Sequence, residues 1–227
     1  MKSRTTTRFV IRELMGTAVL GVALFWSAGR LDWLPAWGLV AVTFAWTAAT
    51  LAVTLRAHPA LLAERLGPRK GAKGWDTAIM SGIGLLMLAR LIVAGLDQRF
   101  GWIGDVPALM QWLAFAVVAL GYALVVWATR SNAYFSQIAR VQTERGHSVV
   151  THGPYRRVRH PAYAGAILTE LAVPLLLDSW WTLPLGVLGA LLLVLRTALE
   201  DRMLLQELPG YADYARSVRY RLAPGIW

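Results

Sequence analysis

The residues best suited to chemistry are concentrated in one polar stretch, Gly146-His-Ser-Val-Val-Thr-His-Gly-Pro-Tyr-Arg-Arg-Val-Arg-His-Pro-Ala-Tyr-Ala-Gly165. Gly153-Pro154 imposes a turn. Pro161 favours extended backbone at His160 and then suits the first turn of a helix. The unpaired N–H groups of that helix start face the stretch and can receive a carboxylate. Arg156, Arg157 and Arg159 add positive charge around it, and the same arginines equally suit a membrane edge that binds lipid phosphates. His147, His152 and His160 are separated by five and eight residues, which is not the i, i+4 pair of a zinc protease. The chain has no cysteine, so thiolate ligands and thiol nucleophiles are absent and no metal site is expected.

A second cluster lies about forty residues further on, in Leu195-Arg-Thr-Ala-Leu-Glu-Asp-Arg202. Arg196 and Glu200 fall on one face of a helix, where a salt bridge contributes about 0.2–0.5 kcal/mol. Glu200 and Asp201 are adjacent carboxylates at the end of an apolar run. Beside Tyr155, Tyr163, Tyr211 and Tyr214 they can hold a cationic ligand.

The elements that must position these groups are membrane helices. Of 227 residues, 56% are hydrophobic and 16% are charged. Soluble domains have about 45–50% apolar and about 25% charged residues, so the composition argues against both disorder and a soluble enzyme. A spanning helix needs about 20 apolar residues. Four stretches qualify, around Val10 to Ala28, Trp33 to Leu55, Asp76 to Leu96 and Pro107 to Thr129. A fifth apolar region, Ala162 to Leu195, is interrupted at Leu177-Asp-Ser-Trp-Trp181 and reads as two helices with a turn at Asp178 and Ser179. The expected fold is all-α: a polytopic membrane bundle of about four spans plus a C-terminal helical hairpin, with a cytoplasmic loop and tail. Residues 1–129 form the N-terminal membrane helices, and residues 130–227 carry the chemistry.

The basic residues set the orientation. The net charge is +10. Lys2, Arg4, Arg8 and Arg12 lie at the amino-terminal end, before or at the start of the first span; Arg56, Arg65, Arg69, Lys70 and Lys73 follow the second, and Arg130, Arg140, Arg145, Arg156, Arg157 and Arg159 follow the fourth. The opposite loops hold Arg30 beside Asp32, and Arg99 beside Asp97 and Asp105. The positive-inside rule then places both termini and the chemical loop in the cytoplasm, with the bacterial inner membrane as the expected location. The first apolar run has a basic leader but no clear cleavage site before the next span, so it reads as a retained helix. This placement accounts for the basic residues without a nucleic-acid partner. Two charges inside spans, Arg90 and Glu170, are compatible with an internal substrate cavity or with a structural ion pair.

Arg159-His-Pro-Ala-Tyr-Ala-Gly165, preceded by His147-Ser-Val-Val-Thr-His-Gly-Pro-Tyr155 and followed by Glu200-Asp201 and Gly210-Tyr-Ala-Asp-Tyr214, resembles the isoprenylcysteine carboxyl methyltransferase family. The wider superfamily includes phospholipid methyltransferases. The detailed resemblance covers about residues 130 to 227. It implies that His147, Ser148, Val149, Val150, Tyr155, Arg159, His160, Pro161, Ala162 and Tyr163 wrap S-adenosylmethionine, with Glu200 and Asp201 completing the cofactor site. The family often has two glutamates where this chain has Glu200-Asp201. Arg196 falls where the family places a substrate-contacting arginine, and Arg90 and Glu170 join it as candidate substrate residues. The implied reaction is direct in-line methyl transfer to a lipid or small hydrophobic acceptor bearing an amine, carboxylate or thiol. The acceptor would enter from the bilayer. Gly82-Ile-Gly84 lacks the third glycine of a Rossmann fingerprint, in keeping with a non-Rossmann cofactor site.

Two other functions compete. The ending Arg219-Tyr-Arg-Leu-Ala-Pro224 is also similar to the tail of NADPH-dependent membrane sterol reductases. Those proteins typically have Asn in place of Ala162 and lack Pro161. A non-enzymatic lipid-binding protein would use only the basic face.

Overall fold

The computed structural model describes residues 2–66, 71–102 and 104–227, so Arg69 and Lys70 lie outside the described residues. Eight α-helices occur among them, the longer ones built on apolar runs: α1 (Lys2–Ala28), α2 (Leu34–Ala57), α3 (Ala60–Leu66), α4 (Gly74–Phe100), α5 (Ala108–Ser131), α6 (Pro161–Leu176), α7 (Leu183–Glu207) and α8 (Tyr211–Ser217). No strand occurs among the described residues. Proline sits in the first turn of α2, α6 and α7. There it removes only an N–H that has no intrahelical partner. Gly101 ends α4 in the left-handed conformation, with its N–H bonded to the Asp97 carbonyl at 2.7 Å.

Helices α1, α2, α4, α5 and the segment Trp180–Glu207 are long and apolar enough to cross a membrane. Their outer faces present bulky apolar side chains, among them Trp26, Leu85, Trp112 and Leu120. These faces belong in lipid, and the protein is an integral membrane protein. Helix α6 has only 16 residues, about 24 Å of rise. It forms the first arm of the expected hairpin. Pro174 lies near its end, and Asp178 then takes a positive φ of 60°. The Asp178 carboxylate accepts the Val106 N–H at 2.6 Å, while the Ser179 hydroxyl donates to Asp97 at 2.6 Å. These bonds pin the hairpin turn to the end of α4 and to the loop before α5.

The hairpin packs through small residues. An added Cβ at Gly121 on α5 would lie 2.6 Å from the Gly165 carbonyl oxygen, and one at Gly165 on α6 would overlap the Gly121 carbonyl oxygen. The two backbones therefore touch, as at small-residue membrane crossings. Gly186 and Gly189 allow α7 the same close approach to Glu170 on α6.

The main apolar core joins Leu20, Leu24, Leu39, Leu91, Val118, Val173 and Leu177 and lies toward the hairpin turn. At the opposite end the packing divides into two small clusters. One comprises Ala128, Tyr155 and Ala162, and the other Leu208, Tyr211 and Tyr214. The site lies between them.

Candidate active site

The segment joining α5 to α6 is long and polar, so its backbone groups must find partners outside regular structure. Asn132 begins it by accepting the Tyr134 N–H at 2.8 Å, and its side-chain amide donates to the Tyr155 hydroxyl at 3.2 Å. Gln142 is fully buried. Its side chain donates to the Tyr134 carbonyl at 2.7 Å and accepts from Arg145. Arg145 also donates to the Ala133 carbonyl at 2.9 Å, and the Tyr134 hydroxyl closes on the Gly146 carbonyl at 2.8 Å. Residues 132–147 are thereby folded around one buried amide. Arg140 ties the segment to α3 by pairing with Glu64 at 2.8 Å, and it also pairs with Glu144 at 2.6 Å. Its hydrogen bonds hold both carboxylates below their usual pKa.

His147 stacks on Tyr134 with ring centroids 4.4 Å apart, and its Nδ1 accepts the Gln142 N–H at 3.2 Å. That bond assigns the proton to Nε2. Burial, reinforced by Arg145 and Arg140, lowers its pKa from 6.5 to about 4. At neutral pH His147 is an uncharged donor on the wall of the site.

The second wall is organised by Asp201, which has no exposed surface. It receives Tyr211 and Arg221 at 2.8 Å, Arg159 Nη2 at 3.1 Å and His160 at 3.3 Å. The tail is laid along the start of α6, because the Arg159 N–H donates to the Tyr220 carbonyl at 3.0 Å and the His160 N–H to the Arg221 carbonyl at 2.8 Å. The Tyr214 hydroxyl donates to the Tyr155 carbonyl at 2.7 Å. Burial raises the pKa of Tyr155, Tyr211 and Tyr214, so all three remain neutral phenols.

Between these walls is a cleft with about 700 Å³ of empty space, counted to its open mouth. His147, Ser148, Val149, Val150, Tyr155, Arg159, His160, Ala162, Tyr163 and Glu200 all line it. The Tyr163 hydroxyl donates to Glu200, and His160 stacks on Tyr163 at 5.7 Å. An acidic group flanked by aromatic rings suits a cation with an attached flat heterocycle.

The structure places the remaining sequence candidates elsewhere. Pro161 and Asp201 are buried outside the lining. Arg196 does not form the salt bridge with Glu200 that their spacing allows. Its Nε donates to Asp76 at 2.7 Å and its Nη2 to the Gln137 carbonyl at 3.1 Å. A wholly buried carboxylate one helix away offers a better partner than a neighbour on the same helix face. Arg90 and Glu170 adopt the ion-pair alternative, at 2.6 Å with little exposure, and line no part of the cleft. The expected anion site at the start of α6 is also altered. The tail occupies the His160 N–H and Asp201 engages Arg159, while Arg156 and Arg157 face outward. Among the described residues no group of three His, Asp or Glu side chains is arranged to hold a metal.

Sequence reasoning missed Asn132, Tyr134, Phe135, Ser136, Ile138, Arg140, Leu204 and Leu208 as lining residues. It also missed Asp76, although a signal existed: Arg196 near the end of an apolar run required a buried partner.

The phospholipid methyltransferase family model matches residues 109–208, from the first turn of α5 through the end of α7. The match therefore takes in the loop wall, both arms of the hairpin, Tyr163 and Glu200. Over these residues the chain is similar to the phospholipid methyltransferase family, in line with the resemblance carried by its Arg-His-Pro-x-Tyr run. An uncharacterized Bacillus subtilis protein, YpbQ, is 36% identical over 96 residues, which are 41% of this chain and 56% of that protein. Protein-S-isoprenylcysteine O-methyltransferase A of Arabidopsis thaliana is 28% identical over 134 residues, 56% of this chain and 62% of that protein. The chain thus spans less than two thirds of the length of either of these two curated relatives. The solved structure of the eukaryotic intramembrane Ras methyltransferase, isoprenylcysteine carboxyl methyltransferase, matches 96% of this chain and 86% of its own length, with 18% identity and a TM-score of 0.45.

Proposed function

We propose that this protein is an S-adenosylmethionine-dependent methyltransferase acting at the cytoplasmic membrane face on a lipid or small hydrophobic acceptor with an amine, carboxylate or thiol. The observation that carries the reading is the cleft itself. It brings Tyr155, His160 and Tyr163 together with Glu200, residues at least 37 positions away in the chain. Its chemistry fits the cofactor: a carboxylate and electron-rich rings for a sulfonium and ammonium, apolar Val149 and Val150 for a purine, and a neutral His147 Nε2–H for a polar group.

The bound cofactor would supply an activated methyl group on a positively charged sulfur. Glu200, oriented by Tyr163, would balance that charge. The folded segment 132–147 and the tail would hold the walls in register and exclude water. Alignment of this kind supplies on the order of 7–11 kcal/mol of a two-reactant barrier. The apolar residues Ile138, Leu204 and Leu208 would leave room for a greasy acceptor arriving from the membrane side.

The reading is tested by incubating purified protein with methyl-labelled S-adenosylmethionine and a host lipid extract. Label is expected in an extractable hydrophobic product. Bound cofactor without labelled product in any lipid fraction would exclude a lipid acceptor.

A further inference from the structure

Asp76 has no part in the site as the sequence presents it, being 120 residues from Arg196. It lies in the first turn of α4, has no exposed surface, and divides its two oxygens between the two sides of the cleft. Oδ1 accepts Arg196 Nε at 2.7 Å, and Oδ2 accepts the Ala139 N–H at 2.8 Å. Arg196 donates its other arm to the Gln137 carbonyl at 3.1 Å. Its guanidinium carbon lies 4.9 Å from the centre of the Tyr163 ring. One ion pair therefore fixes the backbone at 137 and 139, which carries the lining residues Ser136, Ile138 and Arg140. It also sets a cation against the ring whose hydroxyl orients Glu200.

A buried carboxylate and guanidinium lose much of their hydration, and a pair that served stability alone could be replaced by apolar residues. Here, besides the bond between the two, Asp76 accepts the Ala139 N–H and Arg196 donates to the Gln137 carbonyl, both in the loop wall of the cleft. A flexible lysine in place of Arg196 could not reproduce the planar fork that reaches Asp76 and Gln137 together.

We infer that Asp76 is a positioning residue for the cleft, acting through Arg196 and the Ala139 amide to set the Tyr163–Glu200 pair against the loop wall. This rests on the reading of the cleft as a cofactor site. It makes α4, outside the residues matched by the family, part of the site's machinery. It also gives Arg196 a task behind the cleft wall, directed at the ring of Tyr163.

The test measures S-adenosylmethionine affinity by calorimetry, together with thermal unfolding, in detergent-purified full-length protein. The proteins compared are the wild type, Asp76→Asn, Arg196→Lys and the double variant Asp76→Asn/Arg196→Gln. Wild-type protein that binds no S-adenosylmethionine defeats the cofactor reading itself. Given wild-type binding, Asp76→Asn is expected to unfold at lower temperature and to bind about tenfold more weakly, the worth of one charge-assisted hydrogen bond. The double variant removes the unpaired charge and is expected to regain thermal stability but not affinity. Recovery of both would reduce the pair to a structural role and overturn the inference. If the double variant does not fold, Arg196→Lys decides. Weaker binding with near-wild-type unfolding is expected, and unchanged affinity overturns the inference. Deuterium exchange of residues 132–140 without cofactor should rise in Asp76→Asn, and unchanged exchange there also counts against it.

Discussion

Replacing Asp201 by asparagine should release the tail from the cleft. Asparagine preserves the shape of the side chain and can still accept from Tyr211, so the perturbation is chiefly the lost charge. Two guanidiniums face that charge, with Arg159 only 7% exposed and Arg221 31% exposed. Removing one partner of a buried ion pair costs about 3–5 kcal/mol. Arg221 can turn toward water, so the effect falls near the lower bound, about 3 kcal/mol. That amounts to more than a hundredfold in the docking equilibrium of the tail. The assay is amide exchange of residues 215–227 in detergent, with trypsin cleavage at Arg219 and Arg221 as a second readout. Local opening free energies are read directly from such protection. Asp213→Asn supplies the control, because its pair with Arg216 is 75% and 77% exposed. An exposed pair of this kind contributes about 0–1 kcal/mol. If Asp201→Asn leaves the tail as protected as Asp213→Asn does, the assignment of Asp201 as the anchor of the tail is wrong.

Other consequences concern the loop and the hairpin. His147 has its pKa depressed to about 4 from 6.5, so the unfolded loop binds the proton more readily than the folded one. Its contribution should be intact above pH 6.5 and decline as pH falls toward 4. His147→Asn should flatten the pH dependence of deuterium exchange over residues 132–147 in that window. Arg90→Met alone should destabilise by about 3–5 kcal/mol by stranding Glu170, while Arg90→Met/Glu170→Leu should recover most of the loss; thermal unfolding of both variants checks this. Gly165→Val should prevent the α5–α6 crossing, since even a Cβ would overlap the Gly121 carbonyl oxygen, and would be read as loss of folded, monodisperse protein.

The helices were legible because membrane spans are written locally, in apolar runs long enough to cross hydrocarbon and in the prolines and glycines that end them. The hairpin turn at Asp178 was legible for the same reason. The cleft was partly legible: the Arg-His-Pro-x-Tyr run and Glu200 carry their chemistry in their identities. What escaped was pairing across long chain separations. The i, i+4 spacing of Arg196 and Glu200 is a local rule, whereas Asp76 comes beside Arg196 only after α4 packs on α7. Asp201 sits next to Glu200 in sequence but points the other way around the helix, toward Arg159, His160, Tyr211 and Arg221. Gln142 carries no chemical motif, yet the polar segment folds around it because a buried backbone must satisfy its hydrogen bonds.

The central claim is that the cleft receives a sulfonium cofactor and that Glu200 answers its charge. Calorimetric titration of purified protein with S-adenosylmethionine and with NADPH, repeated on Glu200→Gln, tests it most directly. Saturable binding of S-adenosylmethionine is expected, with none of NADPH and at least tenfold weaker binding in the variant, the worth of one charge-assisted contact. Binding of NADPH but not S-adenosylmethionine, or full affinity without the Glu200 charge, would contradict it.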